Sequence, residues 1–108
     1  MNNDLARQIV ATYEQHGWKL RRILAAASTP DLLPEIAAAF PALPISDTGI
    51  DALWFARPSH AGREAWELRL VAAQPYALFE AFEADESEED REDLRREMEN
   101  KMREYAGR

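Results

Sequence analysis

Residues 50–82 leave this chain little choice of architecture. They divide into three apolar runs, 50–56, 65–71 and 76–82, rich in aromatic, branched and aliphatic side chains. Each run is about seven residues, the length of an ordinary strand. The connections at 57–63 and 72–75 are too short for a crossover between parallel strands, which takes roughly a dozen residues or more. Neighbouring runs must therefore be antiparallel, and the stretch reads as a three-stranded meander.

Alternation within the meander predicts how it is covered. In the middle run Trp66, Leu68 and Leu70 share one face, and Ala65, Glu67, Arg69 and Val71 share the other. If 72–75 closes a tight hairpin, Leu68 lies opposite Phe79 and Glu67 opposite Glu80. One face is then apolar throughout. The second mixes Val71, Tyr76, Leu78 and Phe82 with Glu67, Arg69 and Glu80, so partial cover is expected there too. Two carboxylates facing each other repel, and Arg69 is the charge expected between them.

The flanks supply the covers. Residues 4–16 carry Leu5, Ile9, Tyr13 and His16, with Ala6 and Val10 beside them, as one apolar stripe at helical spacing. Asn2 or Asn3 can cap that helix, and Gly17 suits the left-handed residue that closes it. Residues 18–26 read as a strand, with Trp18, Leu20 and Leu24 on one side and Lys19, Arg21 and Ile23 on the other. The pair Arg21-Arg22 gives it the look of an edge strand, and a helical continuation through the alanines is the alternative. Prolines then divide the chain into a turn at 30–33, a short helix at 34–40 and an extended piece at 42–47. Ser87, with Asp90 three residues on, caps a last helix over 88–106. Its first turn is acidic and its later turns carry Arg95, Arg96, Lys101 and Arg103, the order the helix dipole favours.

The expected fold is α+β, with residues 1–108 forming a single domain. Its four-stranded, mostly antiparallel sheet combines the meander at 50–82 with the N-terminal strand, and the N- and C-terminal helices cover it. Composition narrows the function classes. No cysteine is present, which removes disulfides, thiolate metal sites and thiol nucleophiles. A net charge of −7 argues against a broad electrostatic footprint on nucleic acid or anionic lipid. No apolar run approaches the roughly 20 residues of a membrane span. The N-terminus lacks the basic and apolar regions of a secretory signal, so a cytoplasmic location is expected. No glycine-rich phosphate loop occurs, and no cofactor is expected.

Three groups of residues are candidates for function, and one aromatic pair is not. Leu94, Met98, Met102 and Tyr105 form a narrow apolar seam on the last helix, suited to a partner protein or a second copy, or simply to the chain's own sheet. Arg57, His60 and Arg63 share the longest meander loop and would make an anion site, or an exposed hairpin tip. Asp51, Glu67, Arg69 and Glu80 form the polar cluster of the meander. Trp54 and Trp66 fall on adjacent strands and read as core.

One constellation resembles a known family. Gly49-Ile50-Asp51, followed sixteen positions after Asp51 by Glu67-Leu68-Arg69, looks like the core of the PD-(D/E)xK nuclease-like superfamily. The junction His16-Gly17-Trp18-Lys19-Leu20-Arg21-Arg22 is also similar to the helix-to-strand passage common there. The resemblance implies that Asp51 and Glu67 bind Mg²⁺ and that the chemistry is metal-assisted phosphodiester hydrolysis. Three features depart from it. Arg69 stands where the family has lysine, and arginine does not act readily as a base. A proline-rich segment separates the first two strands, and a third meander strand follows where a helix is usual. Read from the residues alone, Asp51, Glu67, Arg69 and Glu80 make a salt-bridge cluster without a metal. The function expected is that of a non-catalytic protein-interaction or assembly module, its partner another protein or a second copy, with a divergent nuclease-like domain as the alternative.

Overall fold

The computed structural model describes residues 2–26, 45–47 and 49–107. Helix α1 spans Asn3–Gln15. The Asn2 side chain accepts the Leu5 N–H at 3.0 Å, satisfying one of the donors that every helix start leaves over. At the other end Trp18 N–H reaches the Tyr13 carbonyl and Gly17 N–H the Glu14 carbonyl. This double closure needs a left-handed residue, and Gly17 supplies it at φ +84°.

Five strands follow: β1 (Lys19–Ala25), β2 (Ile45–Asp47), β3 (Ala52–Pro58), β4 (Glu64–Leu70) and β5 (Ala77–Phe82), and then helix α2 (Glu88–Ala106). They form one sheet in the order β2-β1-β3-β4-β5. The expected four-stranded antiparallel core is present as β1-β3-β4-β5, with the meander as drawn from its short loops. The short β2 adds a parallel fifth strand beside β1, within the piece read as extended. The turn at 30–33 and the helix read at 34–40 lie outside the described residues.

The sheet is covered on both faces. On one, Ala6, Ile9 and Val10 of α1 pack on Leu20, Ile23, Leu53 and Phe55. On the other, Met98 and Met102 of α2 pack on Trp54, Trp66, Leu68 and Phe82. Among the described residues no helix is long and apolar enough to cross a membrane.

Two details differ from the alternation read in the sequence. The β1–β3 register shifts between Leu20 and Arg22, so β1 carries a bulge. A bulge sets one extra residue into a strand and reverses the alternation beyond it. Ile23 therefore joins Leu20 on the α1 face, while Leu24 crosses to the α2 face. β2 flanks only Ile23–Ala25 of β1, so the part that carries Arg21 and Arg22 has no outer neighbour among the described residues. Its two arginines stand on that unflanked part, as read, and the bulge turns both to one face.

The second difference is the β4–β5 register. Leu68 pairs with Leu78, Glu67 with Phe79 and Trp66 with Glu80, one residue away from the tight hairpin expected. Pro75 explains the shift. A two-residue turn would close on residues 72 and 75, and proline has no N–H to donate there. The ladder closes instead on Leu70, whose N–H donates to the Tyr76 carbonyl at 2.9 Å. A one-residue slip sends every β5 side chain to the opposite face.

Candidate functional site

The α2 seam is turned inward. Met98 and Met102 are 5 % and 0 % exposed, and Leu94 and Tyr105 pack against the same core. Tyr105 stacks on Tyr76 with ring centroids 3.6 Å apart. The seam is not a free docking surface, because the sheet face it covers carries two tryptophans and Leu68 and needs an apolar lid. Trp54 and Trp66 are core as expected, edge to face at 5.8 Å.

Of the polar cluster only Glu67 and Arg69 stay together, on one face of β4 at the Tyr13 hydroxyl. Asp51 accepts the Ala26 N–H on Oδ1 at 2.9 Å, while its carbonyl accepts the Val71 N–H. Glu67 lies four strand positions from Val71, about 13 Å along β4 at ordinary strand rise. There it accepts a hydrogen bond from the Tyr13 hydroxyl. Arg69 donates to the Leu70 carbonyl. Glu80, paired with Trp66, is on the other face of the sheet because of the Pro75 register. These carboxylates do not fit a shared Mg²⁺, whose ligands must all reach about 2.0–2.1 Å. Among the described residues no group of three or more His, Cys, Asp or Glu side chains is placed to hold a metal ion. Burial, then the hydrogen bond to Glu67 and that carboxylate's charge, push the Tyr13 hydroxyl well above its usual range.

The loop residues also separate. His60 is exposed in the short 3-10 turn His60–Gly62. Arg63 reaches Glu83 at 2.9 Å. Arg57 donates to the His16 carbonyl at 2.8 Å and lies 4.5 Å over the Trp18 ring. Its cationic neighbours are Lys19 and Arg21, around a hollow of about 260 Å³ that also contains Glu64. Arg57 and Arg63 are engaged at separate places, one at His16 and Trp18 and the other at Glu83, so the loop does not bring them together as an anion site.

A charged cluster that the sequence did not reveal lies between α2 and the sheet. The β1 bulge brings Arg21 and Arg22 to the Trp66 ring, at 5.1 and 5.8 Å, and α2 brings Arg95 over it at 3.9 Å. Arg95 is 2 % exposed and donates to Glu88 at 2.6 Å and to Glu92 at 3.0 Å. Arg22 grips the same Glu92 with both Nη atoms, at 2.9 and 2.8 Å. The buried indoles are satisfied by acids, Trp54 Nε1 donating to Glu99 and Trp66 Nε1 to Glu64. This cluster ties helix to sheet across seventy sequence positions.

Its acid sensitivity has a definite sign. The Arg22 hydrogen bonds, joined by Arg95, hold the Glu92 carboxyl at about 2, below its ordinary 4.5. The folded state thus prefers the ionised form. The stabilisation is complete above pH 4.5 and is lost as pH falls from there towards 2. Allowing for solvent screening of a partly exposed pair, it is about 2 kcal/mol. Urea unfolding at pH 6 and pH 3 should show most of that loss in the wild type and a smaller one in Glu92→Gln. Equal acid losses in both proteins would assign the effect to other carboxylates.

The remaining exposed apolar feature is on β5, which has no neighbour on its outer side among the described residues. Antiparallel pairs alternate between hydrogen-bonded and non-bonded positions. Since Leu70 bonds to Tyr76, residues Leu78, Glu80 and Phe82 direct their backbone groups towards β4. Ala77, Phe79 and Ala81 direct theirs outward. The same three side chains lie on the α1 face, at the end that α1 does not reach. Phe79 is 57 % exposed and touches Trp18 edge to face at 6.4 Å. A hollow of about 200 Å³ lined by Thr12, Tyr13, His16, Trp18 and Glu67 continues this face. The tight-hairpin register set Phe79 opposite Leu68 on the covered face, and the Pro75 slip is what places it outside. No protein-family model, characterised protein or solved structure matches the chain.

Proposed function

We propose that this is a small, cytoplasmic, non-catalytic protein-interaction or assembly domain that works through the β5 edge and the sheet face beside it. One observation carries the reading: Ala77, Phe79 and Ala81 present unpaired backbone groups and an apolar surface at the same place. Natural edge strands are usually guarded by lysine, proline, a bulge or an inward charge. Residues 77–82 contain no lysine and no proline, and their pairing with β4 has no break. Their one charge, Glu80, points inward to the α2 face and is the single guard of this edge, leaving the row Ala77, Phe79 and Ala81 uncharged. An edge of this kind accepts an added strand, with backbone hydrogen bonds giving affinity and alternate side chains giving selectivity.

A photo-crosslinking phenylalanine analogue in place of Phe79 tests this in cells. A second protein with the analogue at Asp93, an exposed position on α2, is the control. Discrete protein adducts at position 79 and none at 93 are expected. No adducts at 79, or the same pattern at both positions, would refute the interaction reading.

A further inference from the structure

We infer that the partner of the β5 edge is a second copy of this chain, paired antiparallel about a two-fold axis at Phe79; this rests on the interaction reading above. The register follows from the backbone. Outward-facing residues must meet outward-facing residues if they are to exchange hydrogen bonds. With Phe79 opposite Phe79 of the partner subunit, Ala77 lies opposite the partner's Ala81, and Ala81 opposite the partner's Ala77. All three outward residues of each copy are then used, and each pair exchanges two bonds, about six in all. Sliding one step in one direction brings Pro75, which has no N–H, into a bonding position. Sliding one step the other way sets Glu80 directly against its own copy, and like charges there are destabilising. The two-fold at Phe79 avoids both. It places Leu78 against the partner's Glu80 and leaves the two Glu80 positions on a diagonal, about 7–8 Å apart along the backbone.

The side chains agree with that register. On the open face the sequence Ala77, Phe79, Ala81 meets its own reverse, with alanines flanking each phenylalanine and no charge in the row. Beyond the row, Glu67 and Arg69 on β4 carry opposite charges, so the patch has no net charge with which to recruit a basic or an acidic partner. Self-association must instead overcome the net charge of −7 on each copy. Added salt should therefore strengthen it, whereas salt would weaken binding of this acidic chain to a basic partner.

Light scattering on the purified full chain, from dilute to high micromolar concentration, is the first measurement. A monomer–dimer equilibrium that shifts towards dimer with sodium chloride is expected. The amides of Ala77, Phe79 and Ala81 should gain about tenfold protection from hydrogen exchange as dimer forms. Those of Leu78 and Glu80, bonded to β4, should be protected throughout. Ala81→Pro removes only an outward N–H, a substitution that edge strands tolerate, and should give a folded monomer by circular dichroism. Phe79→Asp and Phe79→Lys should each be monomeric, because either variant sets like charges across the axis. An equimolar mixture of the two should pair again.

A monomeric wild type with fast-exchanging edge amides overturns self-pairing and leaves the interaction reading standing, to be decided by the crosslinks at position 79. Protected edge amides in a monomer overturn both, since the chain itself then covers the edge. A dimer that survives Ala81→Pro and Phe79→Asp uses another surface and also overturns the proposal. An Asp/Lys mixture that stays monomeric overturns the two-fold at Phe79.

Discussion

Arg95→Ala should destabilise the protein by about 2–5 kcal/mol, the range for truncating a large buried side chain. The guanidinium is 2 % exposed, lies 3.9 Å over Trp66 and 5.2 Å from Phe82, and neutralises Glu88 and Glu92. Truncation removes the cation from both rings, opens a cavity between α2 and the sheet and leaves Glu92 to Arg22 alone. Arg95→Met separates these effects. It keeps most of the volume and drops the charge with its hydrogen bonds, and a hydrophobic replacement of a buried ionic group is often nearly neutral. A cost of about 1 kcal/mol or less for methionine, against the full loss for alanine, would show that Arg95 holds α2 mainly by packing. Equal large losses would assign the stabilisation to the charge. Urea midpoints near neutral pH for the three proteins decide between these, and a loss below 1 kcal/mol in Arg95→Ala would refute the structural role argued for this cluster.

Leu68→Ala should cost about 2–5 kcal/mol. Leu68 is fully buried in the middle of β4, paired with Trp54 on one side and Leu78 on the other, beneath the methionines of α2. Rigid aromatic neighbours limit collapse into the space left behind, which favours the upper part of that range. Leu78→Ala, at a half-buried position on the same face, should cost clearly less. Guanidinium denaturation of both variants checks the order. A Leu78→Ala loss equal to that of Leu68→Ala would mean that α2 reaches further over β5 than the packing indicates.

These two sites differ in how visible they were from the residues alone. Leu68 is predictable, because alternation over the middle run assigns it to an apolar face whatever its partners are. The Arg95 cluster is not. On the isolated helix Arg95 looks like one of several exposed cations near the C-terminal half, and nothing within reach along the chain announces Trp66, Arg21 or Arg22. Arg22 in turn looks like an edge-strand charge until the bulge brings it to the same face as Arg21.

Local sequence determined what depends on local physics. The Asn2 cap, the glycine closure at Gly17, the Ser87 cap and the helical and alternating periodicities set α1, α2 and the three meander strands to within a few residues, because each rests on hydrogen bonds and side-chain spacing within a few positions. The antiparallel sense followed from loop length in the same way. Tertiary structure decided the rest: the β4–β5 register, the bulge in β1, the inward turn of the Leu94, Met98, Met102 and Tyr105 seam, and the separation of Asp51 and Glu80 from Glu67 and Arg69. The physical reason is that a strand's side-chain period is two. A slip of one residue, here imposed by a proline without an N–H, moves Phe79 from the covered face to the open one and Glu80 the other way, and no tally of apolar residues along the chain records that choice.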